Sequence, residues 1–262
     1  MASAPFPFVR SVTRLREVDS TSTEARRRLL ADSPCELPLL ILADRQTAGR
    51  GRGANAWWSD SGSLTFTVAI DPAAHGIDTS HEPRLALSLG AFLAEGFVAA
   101  GWLPGGRVGI RWPNDIECAG RKLAGILLER IQTPAGTRTL LGVGVNVSTQ
   151  FVDAPADVSR LATSLANEGP IAPDAHEQVL LCALEAMRLA VEDVASSDES
   201  QCARWNAHDL LRGERVRVDL GNRVVEGIGR GIDAAGHLCL DTVESGLVRL
   251  SGGRVLRGPL PQ

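Results

Sequence analysis

The sequence has no apolar run long enough to cross a membrane, since a spanning helix needs about 20 consecutive, mainly apolar residues. Residues 1–10 hold two prolines and lack the apolar segment of a secretory signal peptide. These absences predict a protein that is neither embedded in a membrane nor secreted.

The cysteines and histidines form no recognisable framework. Five cysteines, an odd number, are scattered between Cys35 and Cys239, and the five histidines show no metal-ligand spacing. Disulfide scaffolds pair their cysteines, and zinc sites space theirs closely. The pattern therefore predicts a protein of the reducing cytoplasm without a structural metal.

An overall positive charge is also lacking, because the formal net charge is −4. Nothing global then attracts nucleic acid or an anionic membrane, so any anion site is local. With 262 residues, of which 44% are hydrophobic, the chain is long enough for one large domain with a real core and a second, small domain.

The stretch most indicative of a site is rich in glycine and arginine and spans residues 46–58. Gly49 and Gly51 alternate with Arg50 and Arg52, and two adjacent tryptophans close the stretch. Glycine lets backbone N–H groups approach an anion closely, and arginine offers a planar charged fork to phosphate or carboxylate. A solvated loop, or one resting on nucleic acid, is the alternative. The two tryptophans favour a ligand-binding loop.

A helix is predicted to begin near residue 21. Thr21 and Glu24 have the spacing of a capping box, which predicts a helix as far as about Leu30. Ser20 and Thr21 either cap this helix only or also contact a urea-like head group, because a helix N-terminus presents hydroxyl and N–H groups.

A lysine at the start of an apolar strand is the second notable feature. Residues 108–115 predict a strand ended by a proline, and residues 118–121 predict a hairpin turn. Lys122 then opens the next strand, with Gly125 three residues on. A buried, unpaired ammonium group costs free energy. Lys122 therefore either snorkels to the surface or meets an anion inside a pocket.

The remaining elements complete an α+β pattern. Further strands are predicted over residues 37–43, 63–70 and 139–147, and helices over residues 83–100, 175–194 and 201–211. Glycines before Asn146 indicate either close approach of a ligand or backbone, or a bulge. Residues 151–172 predict a surface loop with a short turn at 162–165. Short strands after residue 212 predict a small antiparallel barrel, and hence domains over residues 1–211 and 212–262.

Four stretches taken together resemble the biotin–protein ligases, which attach biotin to carboxylase carrier domains. They are Asp19-Ser20-Thr21, residues 46–52, Arg111-Trp112-Pro113-Asn114-Asp115, and Lys122-Leu123-Ala124-Gly125-Ile126-Leu127. Residues 142–146 resemble the family's next motif, and the resemblance covers about residues 15 to 257. It implies a class II synthetase-like central mixed sheet flanked by helices, followed by a small SH3-like barrel.

The resemblance also implies an activity and its substrates. Biotin reacts with ATP to give biotinyl-AMP and pyrophosphate, and a lysine of a biotin carboxyl carrier domain then displaces AMP. Mg²⁺ is implied with ATP, and no protein-held metal is expected. The implied partner is the carrier domain of a biotin-dependent carboxylase, without specific DNA binding or membrane association, as a monomer or a homodimer.

Site residues are implied as well. The catalytic set is Lys122, Arg50 and Arg52. The biotin-binding set is Ser20, Thr21, Ser22, Gln46, Gly49, Arg50, Gly51, Arg52, Lys122, Gly125 and Gly142. The set for the nucleotide or the acceptor lysine is Trp57, Arg111, Trp112, Asn114, Asp115 and Asn146.

The sequence departs from the family pattern at three places. Ser22 replaces the usual asparagine, residues 53–56 lack the usual further basic residues, and Arg111 replaces the usual lysine. The last departure bears on handling of the acceptor lysine, because arginine is not deprotonated in proteins.

Three other functions compete with a biotin ligase. A lipoate–protein ligase shares the implied fold and the strand lysine, but its binding loop differs from residues 49–52. A transcriptional repressor is disfavoured because too few residues precede Asp19 for a DNA-reading domain. A plain binding module leaves Lys122 unexplained.

Overall fold

The described part of the chain forms two β-sheets and six α-helices. The computed structural model describes Phe6 and residues 8–31, 35–172, 175–196 and 200–257. The strands are β1 Ser11–Val18, β2 Leu39–Gln46, β3 Ser63–Ile70, β4 Val108–Arg111, β5 Asp115–Cys118, β6 Arg121–Thr133, β7 Gly136–Asn146, β8 Arg215–Asp219, β9 Val224–Ile232, β10 Leu238–Thr242, β11 Gly246–Leu250 and β12 Arg254–Val255. The helices are α1 Thr21–Leu30, α2 Arg84–Ala99, α3 Ala156–Leu161, α4 Leu165–Glu168, α5 His176–Ser196 and α6 Ser200–His208.

The larger sheet has seven strands in the order β1-β2-β3-β7-β6-β5-β4. The pair β1 and β2 is parallel, and the other neighbouring pairs are antiparallel. Side chains alternate across a strand, so Phe66 and Val68 of β3 join a core with α2 and α5, whereas Ala69 packs with Ala25 of α1 on the other face. Helices therefore flank a central mixed sheet, as predicted.

Several predicted elements are confirmed. Strand β3 has the predicted bounds, and α2 and α5 lie within one or two residues of theirs. The predicted turn after Cys118 joins β5 to β6, with Ala119 and Gly120 both at positive φ.

Two local predictions are wrong, and one strand was missed. The N-cap of α1 is Ser20 and makes no side-chain capping bond. Glu24 instead pairs with Arg27 and Arg28, so no capping box forms. Strand β1 was not predicted, because its charged residues hide the alternation of an edge strand. The predicted loop after residue 151 contains helices α3 and α4.

The smaller sheet is antiparallel and has the order β11-β10-β9-β8-β12. It confirms a small C-terminal β domain, although β11 and β12 do not pair with each other among the described residues. A single hydrophobic cluster joins the two sheets, since Trp205 and Ile110 pack with Val218 and Leu240. The smaller sheet is therefore docked firmly beside β4.

Two features bear on the expected environment of the protein. Within residues 8–31, 35–172, 175–196 and 200–257, no helix combines the length and apolar character needed to span a membrane. Nor does a disulfide join any two of the cysteines, all of which lie in those ranges.

Candidate active site

One pocket gathers most of the predicted site residues. It lies on the α1 side of the larger sheet and extends from β3 to the segment 253–257 of the smaller sheet. Its polar and charged lining residues are Ser20, Thr21, Ser22, Gln46, Arg50, Arg52, Asn55, Thr65, Arg111, Asn114, Asp115, Lys122, Arg254 and Arg257. The pocket thus brings together segments that are more than two hundred residues apart in the chain.

Cross-strand pairing forms the floor of the pocket. Thr65 pairs with Gly144, Gly144 with Gly125, and Gly125 with Asp115, so these four residues form a row across the sheet. The two glycines leave space above the backbone, and the Trp57 ring lies there. A Cβ atom added at Gly144 would overlap that ring. Gly125 and Gly144 therefore accommodate the Trp57 side chain, whereas the sequence indicates close approach of a ligand or backbone, or a bulge.

Uncharged groups line the end of the pocket nearest α1. Gln46 Oε1 accepts hydrogen bonds from the backbone N–H of Thr21 at 2.8 Å and from its hydroxyl at 3.2 Å. Thr67 Oγ1 lies 2.8 Å from the Thr21 hydroxyl and 3.1 Å from that of Ser22. The Ser20 hydroxyl is buried without a hydrogen-bond partner in this structure. Since buried polar groups are nearly always paired, this hydroxyl is available to a ligand.

The glycine- and arginine-rich loop folds back on itself as a short hairpin. Gly51 N–H donates to Asn55 O at 2.8 Å, and Trp57 N–H donates to Gly49 O at 2.9 Å. Arg50 forms a two-pronged ion pair with Glu129, the shorter contact being 2.8 Å. The hairpin therefore holds the Trp57 ring over the glycine floor.

Lys122 is the only lysine in the sequence, against 26 arginines. Its Nζ lies 2.7 Å from Asp115 Oδ1 and 5.5 Å from the centroid of the Trp57 ring. The side chain is about one-third exposed (31%) and lines the pocket. Of the two possibilities for this lysine, the structure favours a place in the pocket, where a carboxylate now takes the position of an anion.

Hydrogen bonds hold the turn between β4 and β5 to strand β6, to the glycine- and arginine-rich loop and to the C-terminal β domain. Asn114 Nδ2 donates to Ile126 O at 2.6 Å, and the Ile126 N–H donates to Asn114 O at 2.9 Å. Arg52 Nη1 reaches Asn114 Oδ1 at 3.3 Å. The Trp112 indole N–H donates to Gly236 O of the smaller sheet at 3.0 Å. Trp112 therefore anchors the two sheets to each other.

A buried carboxylate stands behind the charged end of the pocket. Glu117 is 2% exposed and pairs with Arg257, and Arg111 Nε lies 3.6 Å from the same oxygen. Burial raises the pKa of Glu117, and the two guanidinium groups oppose that shift. Burial also lowers the pKa of the Arg52 and Arg111 guanidinium groups, while Asp115 and Glu117 respectively oppose those shifts. Arg111 is thus held in a partly dehydrated environment, whereas Arg52 stays exposed to solvent.

Two predicted site residues do not line the pocket, namely Gly49 and Asn146. Asn146 is buried and donates to the carbonyl oxygens of Lys122 at 3.4 Å and Thr163 at 3.0 Å, so it holds the backbone beside the lysine. Gly49 lies against the backbone of Trp57, where a Cβ atom would overlap the Trp57 carbonyl oxygen. Each of the other predicted residues lines the pocket.

Sequence reasoning missed several residues of the pocket, among them Thr65, Arg254 and Arg257. Thr65 had a usable signal, because the alternation of β3 places Ser63, Thr65 and Thr67 on one face. Arg254 and Arg257 had none, since only the packing of the smaller sheet brings them to the pocket.

Comparison with known proteins identifies the class to which this site belongs. Residues 15–146 match the biotin/lipoate A/B protein ligase family, and residues 212–258 match the biotin protein ligase C terminal domain. The biotin–[acetyl-CoA-carboxylase] ligase of Mycobacterium tuberculosis is 34% identical over 83% of this chain and 78% of its own. That of Paracoccus denitrificans is 31% identical over 86% of this chain and 92% of its own.

Solved structures agree on the fold. A biotin protein ligase from Aquifex aeolicus, in complex with biotin and ATP, superimposes with a TM-score of 0.78 at 24% identity, over 94% of this chain and 98% of that one. The present chain belongs to the biotin/lipoate A/B protein ligase family, and its relatives group it with the biotin ligases.

Proposed function

We propose that this chain is a biotin–protein ligase that works in two steps. A carboxylate oxygen of biotin attacks the α-phosphorus of ATP, the bond to the β-phosphate oxygen breaks, and biotinyl-AMP and pyrophosphate form. The ε-amine of a carrier-domain lysine then attacks the acyl carbon, and AMP leaves as the new amide loses its proton. One observation carries the proposal: a single pocket joins an uncharged hydrogen-bonding end to a cationic end, with Lys122 between them.

The uncharged end suits the ureido ring of biotin. That ring has two N–H donors and one carbonyl acceptor, and it carries no charge. Ser20 offers an unpaired hydroxyl, and Gln46 and Thr21 form a bonded pair beside it. Lipoate has a dithiolane ring, which needs no such set of polar partners. These contacts support biotin over lipoate as the acid that is bound.

The charged end suits the triphosphate. Six cations line the pocket, namely Arg50, Arg52, Arg111, Lys122, Arg254 and Arg257, against one lining carboxylate, Asp115. Charge-assisted contacts from arginine to phosphate are among the stronger hydrogen bonds in proteins. Without such cations, a carboxylate and a polyphosphate would repel each other. The excess of positive charge therefore allows both anions to enter one pocket.

Lys122 stands where charge develops. It lies over Gly125, whose missing side chain leaves the space that the Lys122 ammonium group and the Trp57 ring occupy at the pocket floor. From there its ammonium group contacts both the biotin carboxylate and the α-phosphate, and stabilises the negative charge of the transition state. Asp115 is the carboxylate in contact with Lys122, and in the second step it is placed to accept the proton of the incoming lysine.

Mg²⁺ arrives with ATP as part of the substrate. Magnesium in such sites is held by phosphates, water and one or two carboxylates. Asp115 is the lining carboxylate that fits this role, and the described residues contain no cluster of three or more potential metal ligands.

The wider setting forms part of the same proposal. The acceptor is the carrier domain of a biotin-dependent carboxylase, and the reaction takes place in the cytoplasm, where unpaired thiols persist. A net charge of −4 argues against specific DNA binding. The boundary proposed between residues 1–211 and 212–262 separates two sequence modules, but the pocket draws on both.

A transfer assay tests the proposed function against its rival. The pure protein is incubated with ATP, Mg²⁺ and an apo carrier domain, with either biotin or lipoate, and the mass of the carrier is measured. We expect the mass increase of one biotinyl group with biotin and none with lipoate. Transfer of lipoate alone, or of neither acid, would overturn the proposal.

A further inference from the structure

Glu117 is a buried acid with no contact to the pocket itself. Its side chain is 3% exposed, and it is not among the lining residues. It lies on β5 two residues beyond Asp115, so both side chains point to the pocket side of the sheet. A carboxylate in this position is expensive to bury unless it is paired.

The two partners of Glu117 do line the pocket. Arg257 donates one nitrogen to Glu117 and the other to Gly120 O, the latter at 3.0 Å. Arg111 approaches Glu117 through Nε and donates Nη2 to Leu256 O at 3.1 Å. One carboxylate therefore holds two guanidinium groups, one from the end of β4 and one from the segment after β12. We call these two groups the charged wall.

We propose that Glu117 is a positioning residue for ATP, which acts by holding Arg257 and Arg111 side by side at the wall of the pocket. This inference rests on the proposed function, because ATP is the polyphosphate that the wall would meet. Two guanidinium groups that share one carboxylate oxygen repel each other, and each would turn towards solvent without that carboxylate. Glu117 offsets that repulsion from behind, so the remaining N–H groups stay directed at the pocket.

A purely structural ion pair would leave a different signature. It would contribute to stability and affect both substrates equally, whereas a positioning role at the charged end affects ATP alone. The chain offers a matched control in Asp193, whose side chain is 8% exposed and pairs with Arg204 at 2.6 Å. Asp193 also accepts a hydrogen bond from Ser88 at 2.7 Å, and neither of its partners lines the pocket.

The test compares Glu117→Gln with Asp193→Asn, since each replaces a buried carboxylate by its amide. Initial rates of pyrophosphate release are measured against ATP at saturating biotin and against biotin at saturating ATP. We expect Glu117→Gln to raise the KM for ATP by roughly tenfold, with the KM for biotin unchanged. It should also diminish the rise in Tm that ATP produces. Asp193→Asn should lower Tm without changing either KM.

A second variant shows whether Glu117 acts through Arg257. In an Arg257→Gln background, Glu117→Gln should add much less than its effect in the parent protein. Full additivity would overturn the proposal, as would a KM for ATP that rises no more than in Asp193→Asn. If Glu117→Gln does not fold, Arg257→Gln alone decides, and an unchanged KM for ATP would overturn the proposal.

Failure of the proposed function would look different. If the parent protein forms no biotinyl-AMP from biotin and ATP, the function itself is wrong, whatever Glu117 does. If the parent is active and the two amide variants behave alike towards ATP, only the role of Glu117 is wrong.

Discussion

The two ends of the pocket are built in different ways. The uncharged end combines hydroxyl and amide groups that are bonded to one another, as in the contacts among Thr21, Gln46 and Thr67, with the unpaired Ser20 hydroxyl. At the charged end, five of the six cations are bonded to carboxylates or to amide and backbone oxygens; Arg254 is the sixth. Lys122 pairs with Asp115, and Arg50 pairs with Glu129. The uncharged end is preformed for its ligand. At the charged end, Lys122 and Arg50 must exchange partners to receive a phosphate, whereas Arg111 and Arg257 keep their shared partner Glu117.

Energetics favour that exchange. Partly exposed ion pairs contribute only about 0–1 kcal/mol each, and the Arg50 side chain is 43% exposed. Hydrogen bonds to charged groups contribute about 1.5–3 kcal/mol, so a polyphosphate can displace the carboxylate partners of Arg50 and Lys122. The internal pairs thus keep like charges apart in the absence of ATP without preventing its entry.

The largest expected effect concerns Lys122, which lies where the two ends meet. Lys122→Ala should lower the rate of pyrophosphate release by about 10²–10³, since it removes a donor to developing charge. The fold should persist, because the Lys122 side chain is partly exposed. Asp115, its partner, is also partly exposed, so the carboxylate left without a partner remains hydrated. Arg45→Ala, which removes an exposed ion pair with Glu17 outside the pocket, serves as the control. Near-normal pyrophosphate release from Lys122→Ala would exclude the proposed role.

The solitary lysine makes that role testable by chemistry as well. An amine-directed acylating reagent can modify only Lys122 and the terminal amine of this chain. We expect acylation of Lys122 to inactivate the protein, and biotin with ATP to slow the modification. Peptide mass spectrometry measures both. Modification of Lys122 at the same rate with and without the two substrates would show that they do not contact it.

Arg52 tests whether the charged end retains the intermediate. Arg52→Gly removes the contacts to Asn114 and Gly253, which join the loop to the β4–β5 turn and to the segment before β12. Biotinyl-AMP should then escape and acylate lysines of a bystander protein such as serum albumin. The variant itself should carry little label, because it has one lysine. Confinement of the label to the carrier domain would contradict a retaining role for the loop.

Ser20 tests the preformed end, with a smaller expected effect. Its hydroxyl is buried without a partner, so Ser20→Ala should leave Tm unchanged or slightly higher. Loss of one hydrogen bond to biotin should weaken biotin binding by roughly tenfold, as measured by calorimetry. Ser164→Ala is a matched control, since its hydroxyl is also buried and unpaired but does not line the pocket. Equal biotin affinity in both variants would show that the ureido ring of biotin does not bond to Ser20.

The same contrast explains what the sequence could and could not reveal. Residues of the uncharged end and the loop lie in short motifs, so local patterns were enough to find Ser20, Gln46 and Lys122. The lining residues Arg254 and Arg257 lie in a separate sheet, and their place depends on packing between Trp112 and the C-terminal strands. Local sequence carries no information about such long-range contacts.

Element boundaries show the same limit. Strand β3 was predicted correctly because both its faces are regular. The capping box failed by one residue, since Thr21 bonds to Gln46 and Thr67, which are distant in sequence. A tertiary partner outcompeted the local one there, and that partner belongs to the pocket.

The smallest expected effect is a change in the rate at which trypsin cuts the loop. Arg50 and Arg52 are cleavage sites, and residues 52–56 are exposed at the tip of the hairpin. A few backbone hydrogen bonds and the pair with Glu129 hold the hairpin, so the loop should open more readily than the sheets. Limited digestion of the ligand-free protein should therefore divide the chain first near residue 51.

Bound ligand should slow that cut, because it contacts the hairpin and orders it. A phosphate between Arg50 and Arg52 takes the place of their present partners, Glu129 and Asn114. Biotin gives Trp57 an apolar surface to cover. Ordering the loop costs about 1–2 kcal/mol per residue in backbone entropy, so protection should be several-fold rather than complete. Biotin with ATP should protect this cut far more than cuts elsewhere, and lipoate with ATP should protect it less. An unchanged rate of cleavage with biotin and ATP would mean that the ligands do not contact the hairpin. Lys122 and the charged wall of Arg111 and Arg257 would then bind the phosphates without Arg50 and Arg52.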